Sequence, residues 1–130
     1  MNNISIVIPV YNEEKNIKIL IKKIMNSQSI DYINEIILVD DYSTDNSKAE
    51  IYELTKLFNK IKICTHSKNL GQSASLLTGI QKAKSKTILT MDADLQNNPV
   101  DIEKLIDKYF SDINIKLVGG IRINRKDTIV

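Results

Sequence analysis

The feature that most constrains this chain is an alternation of apolar runs with helix-period segments along most of its 130 residues. Residues 4–10 (I-S-I-V-I-P-V) are rich in β-branched side chains and read as a buried strand. Residues 13–27 place Ile17, Leu20, Ile21 and Ile24 at i, i+3, i+4, i+7 spacing, which is one face of a helix. Residues 35–40 predict a second buried strand. Residues 47–58 predict a helix, in which Ser47 and Glu50 have capping-box spacing and Ile51, Leu54 and Phe58 line one side. Residues 61–65 follow as a third strand. Residues 71–84 read as a helix with Leu76, Leu77, Ile80 and Ala83 inward, and 87–92 as a fourth strand. Pro99, after Asn98, opens a helix carrying Ile102, Leu105, Ile106 and Tyr109, and 115–119 start a fifth strand.

This order predicts an α/β fold with a mostly parallel sheet and helices on both faces. A chain of this length holds one domain, with enough residues for a real core. The net charge of +2 is too small to argue for nucleic acid. The single Cys64 excludes an internal disulfide and fits a reducing compartment. Met1 is followed by Asn2 and Asn3 instead of a basic segment, so no secretory signal is expected. No apolar run approaches the roughly 18 residues that span a bilayer. A cytoplasmic location is therefore expected. The last residues, 127–130, carry no terminating signal, and the end reads as cut.

Ligands of parallel sheets sit at the carboxyl ends of the strands, and the polar clusters of this chain fall there. The most informative is M-D-A-D-L-Q at 91–96. Asp92 and Asp94 lie two apart after an apolar segment, and on extended backbone such residues point to one side. Two such carboxylates can grip one hard cation, with Mg²⁺ or Mn²⁺ favoured, and a cation held there can hold a diphosphate. The alternative is a pair of solvated turn carboxylates capping the next helix. Asp40, Asp41 and Asp45 follow the second strand. Asp45 reads as structural, whereas Asp41 is the better candidate for hydrogen bonds to a base or ribose. Tyr11, Asn12 and Glu13 follow the first strand, where Asn12 could be a helix cap and Tyr11 and Glu13 could serve either a ligand or the helix. Gly71 could admit a phosphate or simply open a helix. Arg122 and Arg125 could bind phosphate, but two isolated arginines more often form a solvated basic edge. His66 reads as a surface residue at a strand end, and Cys64 as core.

Taken in order, these segments resemble the family 2 glycosyltransferases of GT-A fold. The resemblance runs through S-I-V-I-P-V-Y-N-E-E at 5–14, I-L-V-D-D-Y-S-T-D at 37–45, N-L-G-Q-S-A-S-L-L-T-G at 69–79 and M-D-A-D-L-Q-N-N-P at 91–99. D-A-D-L-Q with Pro99 looks like the polyprenyl-phosphate branch, which includes dolichol-phosphate mannose synthases. G-G-I-R-I-N-R-K-D, at 119–127, looks closer to the bacterial undecaprenyl-phosphate sugar transferases. The resemblance implies that Pro9, Tyr11, Glu13, Val39 and Asp41 surround a nucleoside. It implies that Asp92, Asp94 and Gln96 hold metal and diphosphate, with Ala93 lending backbone contact, and that Arg122 and Arg125 meet phosphate. Tyr42 departs from it, since many relatives carry glycine there.

The implied reaction transfers a sugar from a UDP- or GDP-linked donor to a polyprenyl phosphate, with inversion. The acceptor is already an anion, so positioning and charge neutralisation replace a strong base. On this reading residues 1–130 are the donor half of one GT-A domain. Membrane association and the acceptor site are expected in a continuation, placing the longer protein at the cytoplasmic face of a membrane. A homo-oligomer is compatible with all of this. A non-catalytic nucleotide-sugar binder, or a relative acting on a saccharide hydroxyl, are the alternatives. A receiver domain fits poorly, because Asp40 and Asp41 end the second strand instead of the first. A nucleotidyltransferase fits poorly because Tyr11-Asn12-Glu13-Glu14 is acidic where a glycine-rich basic loop belongs. A nicotinamide dehydrogenase lacks its G-x-G-x-x-G after the first strand.

Overall fold

A computed structural model of the chain describes residues 4–94 and 99–112. The chain divides into two compact units, 1–97 and 98–130. The first holds strands β1 (Ile4–Val10), β2 (Ile33–Asp40), β3 (Ile61–Thr65) and β4 (Thr87–Thr90), with helices α1 (Ile17–Met25), α2 (Ser47–Leu57) and α3 (Gln72–Lys82). A short 3-10 helix, Gln28–Tyr32, precedes β2. In the second unit the described residues form helix α4 (Pro99–Phe110), which Pro99 opens as expected. The predicted strand at 115–119 lies outside the described residues.

All four strands are parallel, in the order β3-β2-β1-β4. Side chains alternate between the two faces of a strand, so Val7, Ile37 and Val39 share one face, where Leu76 and Ala83 of the α3 segment pack on them. The intervening Ile6, Ile8, Ile36 and Leu38 are fully buried on the other face. Helix α1 buries Ile17, Leu20, Ile21 and Ile24, and α2 buries Ile51 and Leu54. Long β-branched runs therefore form the two central strands because both of their faces are covered.

Strand order reverses at β1, with β2 on one side and β4 on the other. That reversal opens a crevice beyond the carboxyl ends of β1 and β4. Val7 O accepts a hydrogen bond from Met91 N (3.2 Å) at the last rung between these strands. Backbone polar groups two residues apart face the same neighbour, so Pro9 turns toward the β4 side. Proline has no N–H to donate, and register pairing stops at Val7–Thr90.

Three expected details change. Helix α1 begins at Ile17, not Glu13, because the amides of residues 12–14 are tied to the loop after β2. The capping box at Ser47 does not form. Ser47 Oγ instead accepts from Glu13 N (2.7 Å), Asp45 Oδ1 accepts from Ser47 N (2.9 Å), and Glu50 pairs with Lys18 (2.8 Å). In α3, Leu77 and Ile80 point outward, 56% and 42% exposed, because the inward stripe is Ser75 and Gly79.

Candidate active site

Two loops build one wall of the crevice. Asn12 sits at φ 54°, in the left-handed region that asparagine tolerates better than most residues. Its Oδ1 accepts from Thr44 N (2.8 Å) and Asp45 N (3.3 Å), while its own N–H donates to Ser43 Oγ (3.0 Å). Glu14 N donates to Asp45 Oδ2 (3.3 Å), and Asn46 N to Glu14 Oε2 (3.1 Å). Asn12 is thus a bridge between loops, not a helix cap. Asp45 serves structure, accepting from Ser47 and Glu14. Burial raises its pKa, but those donors outweigh burial and hold it below the ordinary carboxylate value.

Asp41 lies at the centre of a second network. Its N–H donates to Val10 O (2.9 Å), extending the β1–β2 ladder into the loop. Its Oδ1 accepts from Leu70 N (2.9 Å) and its Oδ2 from Gly71 N (2.8 Å). Gly71 has φ 97°, a conformation closed to most side chains, and this turn aims the two amides at one carboxylate. His66 Nδ1 lies 2.8 Å from Asp41 Oδ1, and His66 Nε2 lies 2.8 Å from Thr78 Oγ1. Burial pushes the Asp41 pKa up. The His66 bond and the two backbone donors more than offset it, leaving the carboxyl below its usual range.

These walls enclose an open cavity of about 250 Å³. Pro9, Val10, Tyr11 and Glu13 line it from β1 and its loop, and Asp41 from the loop after β2. Gln72 and Ser75 contribute from the first turn of α3, and Asp92, Ala93 and Asp94 from the segment after β4. Gln72 Nε2 donates to Asp92 Oδ1 (3.1 Å), which orients that carboxylate. Glu13 Oε2 accepts from Asn16 Nδ2 (2.9 Å). Asp92 and Asp94 share one cavity although β4 itself ends at Thr90.

The structure thus brings Pro9, Tyr11, Glu13, Asp41, Asp92, Ala93 and Asp94 to one place. Val39 is not on the wall. It is fully buried in the core beneath α3, where its register position on β2 directs it inward. Gln96, Arg122 and Arg125 lie outside the described residues. Sequence reasoning missed Gln72 and Ser75, although their position one turn after a strand-end loop was the available signal. It also placed His66 on the surface, whereas its side chain is 8% exposed.

Among the described residues, no three His, Cys, Asp or Glu side chains converge as a closed metal cage. Asp92 and Asp94 do supply two hard oxygen donors at one wall. That suits a cation completing its shell with water and phosphate oxygens. The cavity can therefore accommodate a polar ligand bearing phosphates, beside carboxylate acceptors for hydroxyl or N–H groups.

A parallel α/β sheet with an acidic ligand crevice at its switch point is the architecture of nucleotide-dependent enzymes. Residues 5–128 match the model of glycosyl transferase family 2, and the chain belongs to that family. It is 37% identical, over 131 aligned positions, to undecaprenyl-phosphate 4-deoxy-4-formamido-L-arabinose transferases of Pectobacterium atrosepticum and Pectobacterium carotovorum. Those matches cover 99% of this chain but only 39% of each relative. The fold resembles a mannosyltransferase of Pyrobaculum calidifontis in complex with GDP-Man and Mn²⁺ (TM-score 0.73, 20% identity, 85% of this chain and 33% of that one). It also resembles S. aureus TarS in complex with UDP (TM-score 0.64, 22% identity, 91% of this chain and 38% of that one). The fold is accordingly the GT-A arrangement that the sequence resemblance implies.

Proposed function

We propose that this chain is the donor-binding half of a GT-A domain, in a protein that transfers a sugar from a nucleotide diphosphate to a polyprenyl phosphate with inversion. The observation that carries the reading is the single cavity joining Asp92 and Asp94 to Pro9, Tyr11, Glu13 and Asp41. The named activity of the Pectobacterium relatives supports the lipid phosphate as acceptor and a hexose-like or pentose-like sugar as cargo. Tyr11, Glu13 and Asp41 surround the nucleoside, and Asp92, Ala93, Asp94 and Gln96 face the diphosphate. Arg122 and Arg125 meet phosphate of donor or acceptor.

Asp92 and Asp94 would hold Mg²⁺ or Mn²⁺, which supplies neutralisation of the charge appearing on the leaving diphosphate. The chain's own contribution is to fix the donor and exclude wrong geometries. Gln72 orients Asp92, and the Asn12 bridge keeps the two rim loops in register. Because a phosphate acceptor needs no deprotonation, no carboxylate is required as a strong base. No described helix is long and apolar enough to cross a membrane. On this reading the lipid phosphate is met at the cytoplasmic face of a membrane, and the chain spans only 39% of the length of each Pectobacterium relative.

Calorimetry with UDP and with GDP, each with Mn²⁺, tests the reading. One nucleotide is expected to bind the wild-type chain, and Asp94→Asn to weaken it at least about tenfold without lowering the melting temperature. Equal affinity in the variant would sink the assignment.

A further inference from the structure

We infer that His66 is a positioning residue for the nucleotide cavity, clamping the Asp41 carboxylate from behind so that it presents one fixed acceptor to a ligand. The inference rests on the proposed nucleotide reading of that cavity. His66 follows β3 directly, and its N–H donates to Asp40 O (2.9 Å), so its backbone is held by the sheet. Its side chain and that of Asp41 are 8% and 5% exposed. An ionised carboxylate can only accept, so Nδ1 carries the proton facing Asp41. Nε2 is hydrogen-bonded to the Thr78 hydroxyl, which can donate or accept as the ring requires. Thr78 lies on α3 and Asp41 follows β2, so one imidazole joins helix and sheet at the rim.

Counting acceptors shows the consequence. Asp41 Oδ1 takes two donors, His66 and Leu70 N, which fill its two lone pairs. Oδ2 takes Gly71 N and keeps one. Without His66, the carboxylate could rotate about its terminal bond and release the Leu70 and Gly71 amides, which open α3 beside Gln72 and Ser75. A conservative donor should restore the clamp, whereas an apolar side chain of similar size should not.

The test compares wild type, His66→Leu, His66→Asn and Thr78→Val by titration with UDP and with GDP plus Mn²⁺. It adds amide hydrogen exchange at Leu70 and Gly71, and nitrogen NMR of the imidazole. His66→Leu is expected to weaken the bound nucleotide about tenfold and to speed exchange of both amides. His66→Asn is expected to recover most of each, and Thr78→Val to fall between. The wild-type ring is expected to show a protonated Nδ1 hydrogen-bonded to the Asp41 carboxylate. Equal loss of affinity in His66→Leu and His66→Asn would reduce His66 to a packing residue and overturn the inference. So would wild-type affinity and exchange in His66→Leu. If the wild-type chain binds neither nucleotide, the functional reading fails, and the exchange comparison still decides whether the clamp exists.

Discussion

Tyr42 holds φ at 63°, a left-handed conformation that disfavours any residue with a Cβ by about 1–2 kcal/mol. Tyr42 is 54% exposed and gives little burial in return. The glycine that the family resemblance implies at this position would relieve that strain. Tyr42→Gly is expected to stabilise the chain by about 0.5–1 kcal/mol, since relief of strain exceeds the extra freedom glycine gives the unfolded state. Urea denaturation checks it. Asp41 and Asp45 set the acid limit. Both have folded pKa values below the ordinary carboxylate value, so the unfolded chain binds more protons in that range. Their stabilisation is complete above about pH 4, the unfolded value, and is lost as pH falls through the folded values. Melting temperatures should therefore drop on acidification, and Asp41→Asn should flatten that drop. An unchanged slope in the variant would show that other groups govern it. The sequence made Asp41 legible as a rim carboxylate, but its partners stand 25 to 30 residues away. No local pattern reports such pairing, which is why His66 read as surface.

At the level of elements, the apolar periodicity of α1 was sufficient, because its buried face is made of large side chains. In α3 it was misleading. This helix approaches β1 and β2 through Ser75 and Gly79, so its close face is small and its large residues Leu77 and Ile80 are displaced outward. A Cβ on Gly79 would fall well inside contact distance of Val7 Cγ1 and 3.2 Å from Val39 Cγ2. Valine is stiff about χ1 and cannot swing aside cheaply. Gly79→Ala is expected to destabilise the fold by about 2–3 kcal/mol, despite the better helix propensity of alanine. A denaturant midpoint at or above that of wild type would refute this contact. The expected capping box at Ser47 fails to form for a similar reason. Glu13 and Asp45, from outside the helix, supply partners that outcompete the local motif.

For the molecule as a whole, the alternation of strands and helices made the parallel sheet readable, and the strand-end acids marked its working rim. The lateral order β3-β2-β1-β4 was not readable from that pattern, because any right-handed crossover can join either side of the sheet. The far end of the sheet carries a polar knot that the sequence also left unseen. Buried Glu35 accepts from Ser5 Oγ (2.7 Å) and Lys84 N (2.6 Å), fastening the turn before β4. Glu35→Ala is expected to cost about 3 kcal/mol by stranding both donors, measurable as a shift in chemical-denaturation midpoint. With the base of β4 fastened and its tip released, the two strands behave like a zipper whose slider is jammed at Pro9. A residue with an amide hydrogen at position 9 would return the donor that the edge of β1 lacks there, one rung nearer the proposed nucleotide crevice.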